Sequence, residues 1–395
     1  MIKEFFRKQK AKGELIKAFR AAKIYKEVKR DKKTIKIYPS IKSVRFLESR
    51  TEHVFIMPYG IDPKDVQKNI VFFQQVLGKN IDITTDNIKK VILNVNHSNI
   101  PKELKYNYET ISELVQDMKI GIVAGVGMNG EYVVFDAIEF GEVNFLVAGE
   151  QGSGKSTMLR NILTTLICTK KPNELHLYLA DLKLSEFHIF DNIEHLQHPI
   201  CETPSELYKV TQILMREVKK RGKLLKQYRI AHVDDLPENA KVPYIGLFID
   251  EIIMLIGEKD ILKDLVQIVA LGRALGIITC FSLQRPSYDI LDTKIRGLLS
   301  VRMGFRTTDV QNSKIIGTIG SEKISAETRG RYLLKRSNIQ ELQAPYITQQ
   351  EAEKLLKPYK VKEIIEENPP LDQQEEQIED EIEWGFLDNE SEQKR

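Results

Sequence analysis

The chain has 395 residues, 42% of them hydrophobic and 29% charged, a globular composition with length enough for more than one domain. Collagen-like, mucin-like and wholly disordered classes are excluded, and no run approaches the roughly 18 to 20 consecutive apolar residues that a bilayer-spanning helix needs. The start, Met1 to Lys8, has no secretory apolar core, so the expectation is a soluble cytoplasmic protein. Cys168, Cys201 and Cys280 are odd in number and far apart, which points to neither a disulfide framework nor a zinc site.

The net charge of +3 hides an asymmetry: residues 1–36 carry fourteen Lys/Arg against four Asp/Glu, and residues 363–395 carry two against thirteen. In chain order, residues 1–36 read as a basic helical arm with Phe5, Phe6, Leu15, Ile16, Phe19 and Ile24 among the lysines. Residues 37–118 read as a small α+β domain, with strands at 35–38, 53–57 and 91–95 and a helix from Pro63 to Leu77. From 119 to 350 strands alternate with helices, the pattern of a mostly parallel sheet with crossover helices. Residues 351–395 read as an acidic, disordered tail after a short helical stretch. The basic arm suits nucleic acid, anionic lipid or an acidic partner, or is simply a solvated face.

The strongest motif follows the apolar run Val143 to Ala148. Gly149, Glu150, Gln151, Gly152, Ser153, Gly154, Lys155, Ser156 and Thr157 form G-x-x-x-x-G-K-S between a strand and the helical run Met158 to Cys168. Its glycines let backbone N–H groups turn around phosphate oxygens at a helix N-terminus, Lys155 reaches the β- and γ-phosphates of ATP, and the Ser156 hydroxyl ligates Mg²⁺. The apolar strand Val242 to Ile249 ends in Asp250, a second Mg²⁺ holder, and Glu251, which orients or deprotonates the attacking water. The strand Gly276 to Leu283 ends in Gln284, either a γ-phosphate sensor or a turn residue before Pro286.

These residues, in this order, resemble the FtsK/SpoIIIE family of DNA-translocating ATPases, including coupling-type members of Gram-positive conjugative elements. The resemblance takes in Gly121, Gly125, Gly127 and Gly130 before Val133 to Asp136, the Gly149 to Ser156 loop, Leu179 to Lys183, Met215 to Arg221, Ile249 to Glu251 and Gly272 to Ile277. It also takes in Gln284-Arg285-Pro286-Ser287 and Arg329-Gly330-Arg331. It implies an α/β fold with a RecA-like P-loop NTPase core, assembled as a homo-hexameric ring around double-stranded DNA and hydrolysing ATP to move along it. A coupling role further implies a relaxase or membrane-channel protein as partner. In such rings an arginine from a neighbouring subunit completes the site; Arg273 is the first candidate and Arg302 or Arg306 the reserve, each equally readable as a structural or DNA-phosphate contact. Septal family members carry transmembrane helices before the motor and a winged helix after it, and this sequence has neither. Membrane attachment would then rest on the basic helix with Phe5, Phe6 and Phe19. The rival implication is a secretion-type ATPase acting on, or gated by, a protein.

Three weaker features complete the reading. His195 and His198 match no metal-ligand spacing. Asp181 and Lys183 line the nucleotide cleft or a subunit junction, or form a loop salt bridge. The basic stretch Arg216 to Arg229 contacts duplex phosphates or is a solvated face, its only aromatic being Tyr228.

Overall fold

The computed structural model describes residues 2–30, 33–47, 49–78, 80–86, 88–97, 99–284 and 293–361. The expected acidic tail from 363 and the Arg285-Pro286-Ser287 segment lie outside the described residues.

The first unit runs α1 (Ile2–Ala21), β1 (Lys26–Arg30), β2 (Lys33–Ile37), β3 (Ser40–Phe46), β4 (Arg50–Ile56), α2 (Lys64–Lys68), α3 (Ile70–Leu77), β5 (Ile81–Thr85) and β6 (Lys90–Asn96). β3 to β6 form an antiparallel sheet in the order β3-β4-β6-β5. The expected basic arm is neither wholly helical nor free. The helix stops before Lys23, which takes a left-handed φ of 55°, and β1 pairs with β2 as an antiparallel hairpin, because alternating Lys and Ile/Val residues suit a pleated surface better than a helix. Leu15, Ala18, Phe19 and Ile24 are buried in one core with Phe55 and Phe73. Phe19 makes edge-to-face contacts with both rings, at centroid distances of 4.9 and 5.8 Å. A helix of this composition would be marginal alone and is fixed by that packing. The expected continuous helix over 63–77 is two helices, broken at Asn69.

The second unit continues α4 (Tyr108–Val115), β7 (Gly121–Val126), β8 (Tyr132–Asp136), β9 (Asn144–Ala148), α5 (Lys155–Thr169), β10 (Leu175–Asp181), α6 (Pro204–Tyr228), β11 (Tyr244–Asp250) and α7 (Lys259–Leu275). It ends with β12 (Ile277–Leu283), α8 (Thr293–Leu298), β13 (Val301–Phe305), α9 (Val310–Ile316), β14 (Arg331–Lys335), β15 (Ile339–Gln343) and α10 (Gln349–Leu356). All nine strands join one sheet in the order β10-β11-β12-β9-β13-β14-β15-β7-β8. β10, β11, β12, β9 and β13 are parallel, and β14, β15, β7 and β8 extend the sheet antiparallel.

The parallel strands are buried on both faces, which explains their continuous apolar runs. Phe145, Val147 and Phe248 join a core with α5 and α10, while Leu146, Leu247 and Ile249 join one with α6 and α7. Two boundaries move from their expected positions. α4 packs Ile111 and Val115 on Val123 of β7, and Tyr106 bonds Thr165 of α5, so residues 104–118 go with the large unit. Residues 351–361, expected in the tail, continue that unit instead, with Ala352 and Leu356 fully buried.

The basic stretch of α6 divides by residue. Arg221 is buried and donates to the Leu275 carbonyl and the Pro243 carbonyl, both at 2.7 Å, and to Glu217 at 2.8 Å. It ties α6 to the starts of β11 and β12 and is closed to DNA, whereas Lys219, Lys220, Lys223 and Lys226 are exposed.

Two stability outcomes follow from these contacts. Arg221→Met leaves two buried carbonyls and a carboxylate without their donor, and urea unfolding should register a loss of about 3 kcal/mol. His53, buried on β4 between Val44 and Leu93, has its imidazole pushed down to about 4 by burial. The unfolded chain therefore takes up a proton that the folded chain refuses, so this group's stabilisation is intact above pH 6.5 and is lost as pH falls towards 4. Between pH 7.5 and 4.5 the protein should lose about 2 kcal/mol more than His53→Leu.

Candidate functional site: a nucleotide pocket at the strand ends

The carboxyl ends of β9, β10, β11 and β12 gather the predicted residues. A pocket of about 1050 Å³ is lined there by Gly152, Gly154, Lys155 and Ser156 of the loop, with Lys183 and Gln284. The loop opens into α5 at Gly154, whose φ of 119° belongs to glycine. A Cβ on Gly154 would stand 2.9 Å from the Gly330 Cα, and Gly330, at φ 79°, donates its N–H to the Ser153 carbonyl at 2.9 Å. Two glycines thus permit the loop before β14 to clamp the P-loop backbone.

Lys155 is buried, with Nζ donating to the Glu150 carbonyl at 3.1 Å. Burial lowers its ammonium to about 8, with Glu251 and Asp250 opposing. Glu150 is itself held, its carboxylate paired with Arg306 and its N–H donating to the Arg306 carbonyl at 2.9 Å. Asp250 is also buried, and burial raises its carboxyl to about 6, with Glu186, Asp181 and Glu251 adding to the rise. Among the described residues no three acidic or His/Cys side chains are grouped to hold a metal by themselves, so Mg²⁺ would be held by the hard oxygens of Ser156 and Asp250 together with the phosphate oxygens that it would neutralise.

Glu251 is 1% exposed, with a left-handed φ of 60° that costs on the order of 1 kcal/mol. Its Oε2 accepts from Lys183 Nζ at 2.6 Å and its Oε1 from the Gln284 backbone N–H at 3.2 Å. Among the described residues Asp181 neither lines the pocket nor forms a salt bridge: its Oδ2 caps the turn after β10 by accepting from the N–H groups of Ser185, Glu186 and Phe187. Lys183 lines the pocket and also forms the ion pair with Glu251.

The arginine candidates separate. Arg302 donates to the carbonyls of Leu299, Ile316 and Arg296, which is a structural use. Arg306 braces the P-loop. Arg273 is in the last turn of α7, before the amino end of β12 and against the Gly141 turn, at the opposite end of the strands from the pocket, which it does not line. His195 and His198 bond backbone carbonyls, those of Lys170 and Pro199.

Sequence reading missed Glu186, which accepts from the Ser156 hydroxyl and stands 4.0 Å from Arg160. No motif marks it; only the Asp181 turn brings it to the P-loop. It also missed Arg329 and Tyr346 on the pocket wall. Arg329 stood in the Arg-Gly-Arg triplet that carried part of the resemblance, without a role.

Because Glu251 is buried against one ammonium, Lys183→Met strands a carboxylate in the interior. Its stability cost should largely vanish when Glu251→Gln is added, a double-mutant cycle giving a coupling of about 2 kcal/mol by urea unfolding.

Residues 104–271 match the FtsK/SpoIIIE family. The chain is 29% identical over 235 residues to the DNA translocase FtsK of Helicobacter pylori strain J99, which covers 56% of this chain and 28% of that protein. It is 27% identical over 305 residues to FtsK of Staphylococcus epidermidis, covering 70% and 38%. The chain thus spans well under half the length of these curated relatives. Among solved structures, the pCW3 conjugation coupling protein TcpA in monomer form with ATPγS superposes with a TM-score of 0.58 at 23% identity, covering 87% of this chain and 98% of that one. The cytoplasmic domain of the type VII secretion ATPase EccC from Thermomonospora curvata gives 0.55 at 21% identity, covering 62% and 31%. Among the described residues no helix is long and apolar enough to cross a membrane. The P-loop and the acidic strand end lie within the matched residues, so residues 104–271 are similar to the FtsK/SpoIIIE family, and the solved structures give the chain a P-loop ATPase fold.

Proposed function

We propose that the protein is an ATP-driven double-stranded DNA translocase, working as a coupling ATPase in conjugative or mobile-element transfer. The observation that carries this is a pocket lined by Lys155, Ser156, Lys183 and Gln284, with Glu251 bonded to two of those residues and Asp250 beside Lys155, in a segment that matches the FtsK/SpoIIIE family. Binding uses the P-loop N–H groups and Lys155 for the phosphates. Glu251 orients the attacking water and takes its proton at a carboxylate oxygen, which requires Lys183 to leave it; the γ-phosphate oxygens are the natural destination for that ammonium. Gln284, whose backbone is already tied to Glu251, reports the γ-phosphate through its amide.

Arg273, remote from its own pocket, suits a finger in trans, which supports a closed ring such as a hexamer. The exposed lysines of α6 supply duplex phosphate contacts. For peripheral membrane attachment from the cytoplasm, Phe5 and Phe6 remain exposed on α1 while Phe19 does not, so the apolar face is smaller than expected. A relaxase or channel protein as partner follows from the coupling role. The second reading, a motor acting on or gated by a protein, is favoured by the likeness to EccC.

Steady-state ATP hydrolysis, with and without long duplex DNA across a salt series, separates these readings. Salt-sensitive stimulation by duplex is expected, and hydrolysis indifferent to duplex would transfer the assignment to the protein-gated motor. Lys155→Ala should lose nucleotide binding, while Glu251→Gln should keep ATP bound and lower turnover by at least a hundredfold. Equal hydrolysis by wild type and Glu251→Gln would remove Glu251 from the chemistry.

A further inference from the structure

The pocket is larger than a triphosphate requires, and its far wall comes from outside the residues that carry the P-loop and the acidic strand end. That wall is built by two segments joined backbone to backbone: Tyr346 N–H donates to the Leu104 carbonyl at 2.7 Å, and Tyr106 N–H to the Tyr346 carbonyl at 2.9 Å. The flanking Ala344 and Ile347 are buried, at 3% and 0% exposure, yet the Tyr346 side chain is 55% exposed on the pocket wall. A rigid backbone thus presents an aromatic ring for which no ring or side-chain partner is found among the described residues.

The other end of the same segment carries a cation. Arg329 also lines the pocket, and its main chain is pinned, its carbonyl accepting from Gln343 Nε2 at 2.8 Å while its neighbour Gly330 clamps the P-loop. The nearby arginines are engaged: Arg306 with Glu150, Arg331 with Glu341 and Gln343, and Arg160 with the Ile347 carbonyl and Glu186. Arg329 alone among these four has a guanidinium without a protein acceptor in the described residues, and it is exposed beside Gly152 and Gly154.

We propose that the segment Arg329–Tyr346 is the second half of the nucleotide site, with Tyr346 the platform on which the purine ring stacks and Arg329 a cation supplied in cis to the triphosphate. This rests on the ATP-binding reading above and extends it to residues beyond the 104–271 family match. The reasons are general. A base has a π-face that an exposed, preorganised aromatic ring can cover, a contact that alanine substitution typically weakens about tenfold or more. A planar guanidinium held beside a phosphate loop makes charge-assisted hydrogen bonds that do not depend on the base.

The two roles separate with two probes, ATP and inorganic tripolyphosphate, each with Mg²⁺, titrated calorimetrically into the full chain. Tyr346→Ala should weaken ATP about tenfold and leave tripolyphosphate within twofold, while Tyr346→Phe, which keeps the ring, should bind both as wild type does. Arg329→Ala should weaken ATP and tripolyphosphate alike, by about tenfold, with an unchanged melting temperature in the absence of ligand. Unchanged ATP affinity in Tyr346→Ala, or an equal loss for both probes, would overturn the base platform. Unchanged tripolyphosphate affinity in Arg329→Ala would overturn the cis cation. Failure of the wild-type chain to bind ATP would instead bring down the ATP-binding reading and this extension with it, whereas wild-type binding abolished by Lys155→Ala and unaffected by either new variant leaves the P-loop reading intact and rejects the extension alone.

Discussion

Burial on both faces of the parallel strands is the constraint from which the site follows. β9 to β12 pack between two layers, so along their length they tolerate only apolar or small polar side chains, and charge is confined to where the strands end. The side chains that can act on a phosphate therefore collect at one edge: Lys155, Lys183, Asp250, Glu251 and Glu186. The cost of that gathering appears in the raised carboxyl of Asp250 and the lowered ammonium of Lys155. Both shifts have burial as their first cause, and a bound cation and polyanion would relieve both.

Within that edge, Glu251 is the most constrained residue. It is buried, in a left-handed conformation, and held by an ammonium on one oxygen and a backbone N–H on the other. Strain and charge pairing in one residue describe a preorganised but restrained group. In the proposed function the residue that would activate water is held by the Lys183 ammonium, and a phosphate that drew this ammonium away would couple ligand arrival to its release. Gln284 shares the arrangement through its own backbone N–H, which ties Glu251 to the end of β12.

The antiparallel half of the sheet has a different task. β14 and β15 bring the Gly330 loop against Gly154, and the P-loop is consequently held from outside its own strand–helix unit. The small N-terminal unit is built separately around Phe19, Phe55 and Phe73, and its helix presents its remaining charge outward while spending its apolar residues on that core. Charge density along the chain was therefore a poor guide to free surface, as Arg221 in α6 also illustrates.

The strand–loop–helix around Lys155, the apolar strand ending in Asp250 and Glu251, and the strand ending in Gln284 were legible in the sequence. Each is local: glycine backbone freedom, a continuous apolar run buried on both faces, and a helix that starts at the phosphate loop need only neighbouring residues to be recognised. The hairpin at 26–37, the break at Asn69 and the extension of the large unit to 361 were not legible, because tertiary packing overrode the local helical pattern or drew terminal residues into a core. Glu186, Arg329, Tyr346 and the Lys183–Glu251 pair carry no signature of their own; they meet the P-loop through turns and strand pairings that span tens to hundreds of residues, and the position of such groups is set only when the sheet closes. The sequence by itself determined that a nucleotide loop and its acidic strand exist. The tertiary structure alone decided which charges face them, since long-range pairing and burial, not local backbone preference, choose the neighbours of a buried ionic group.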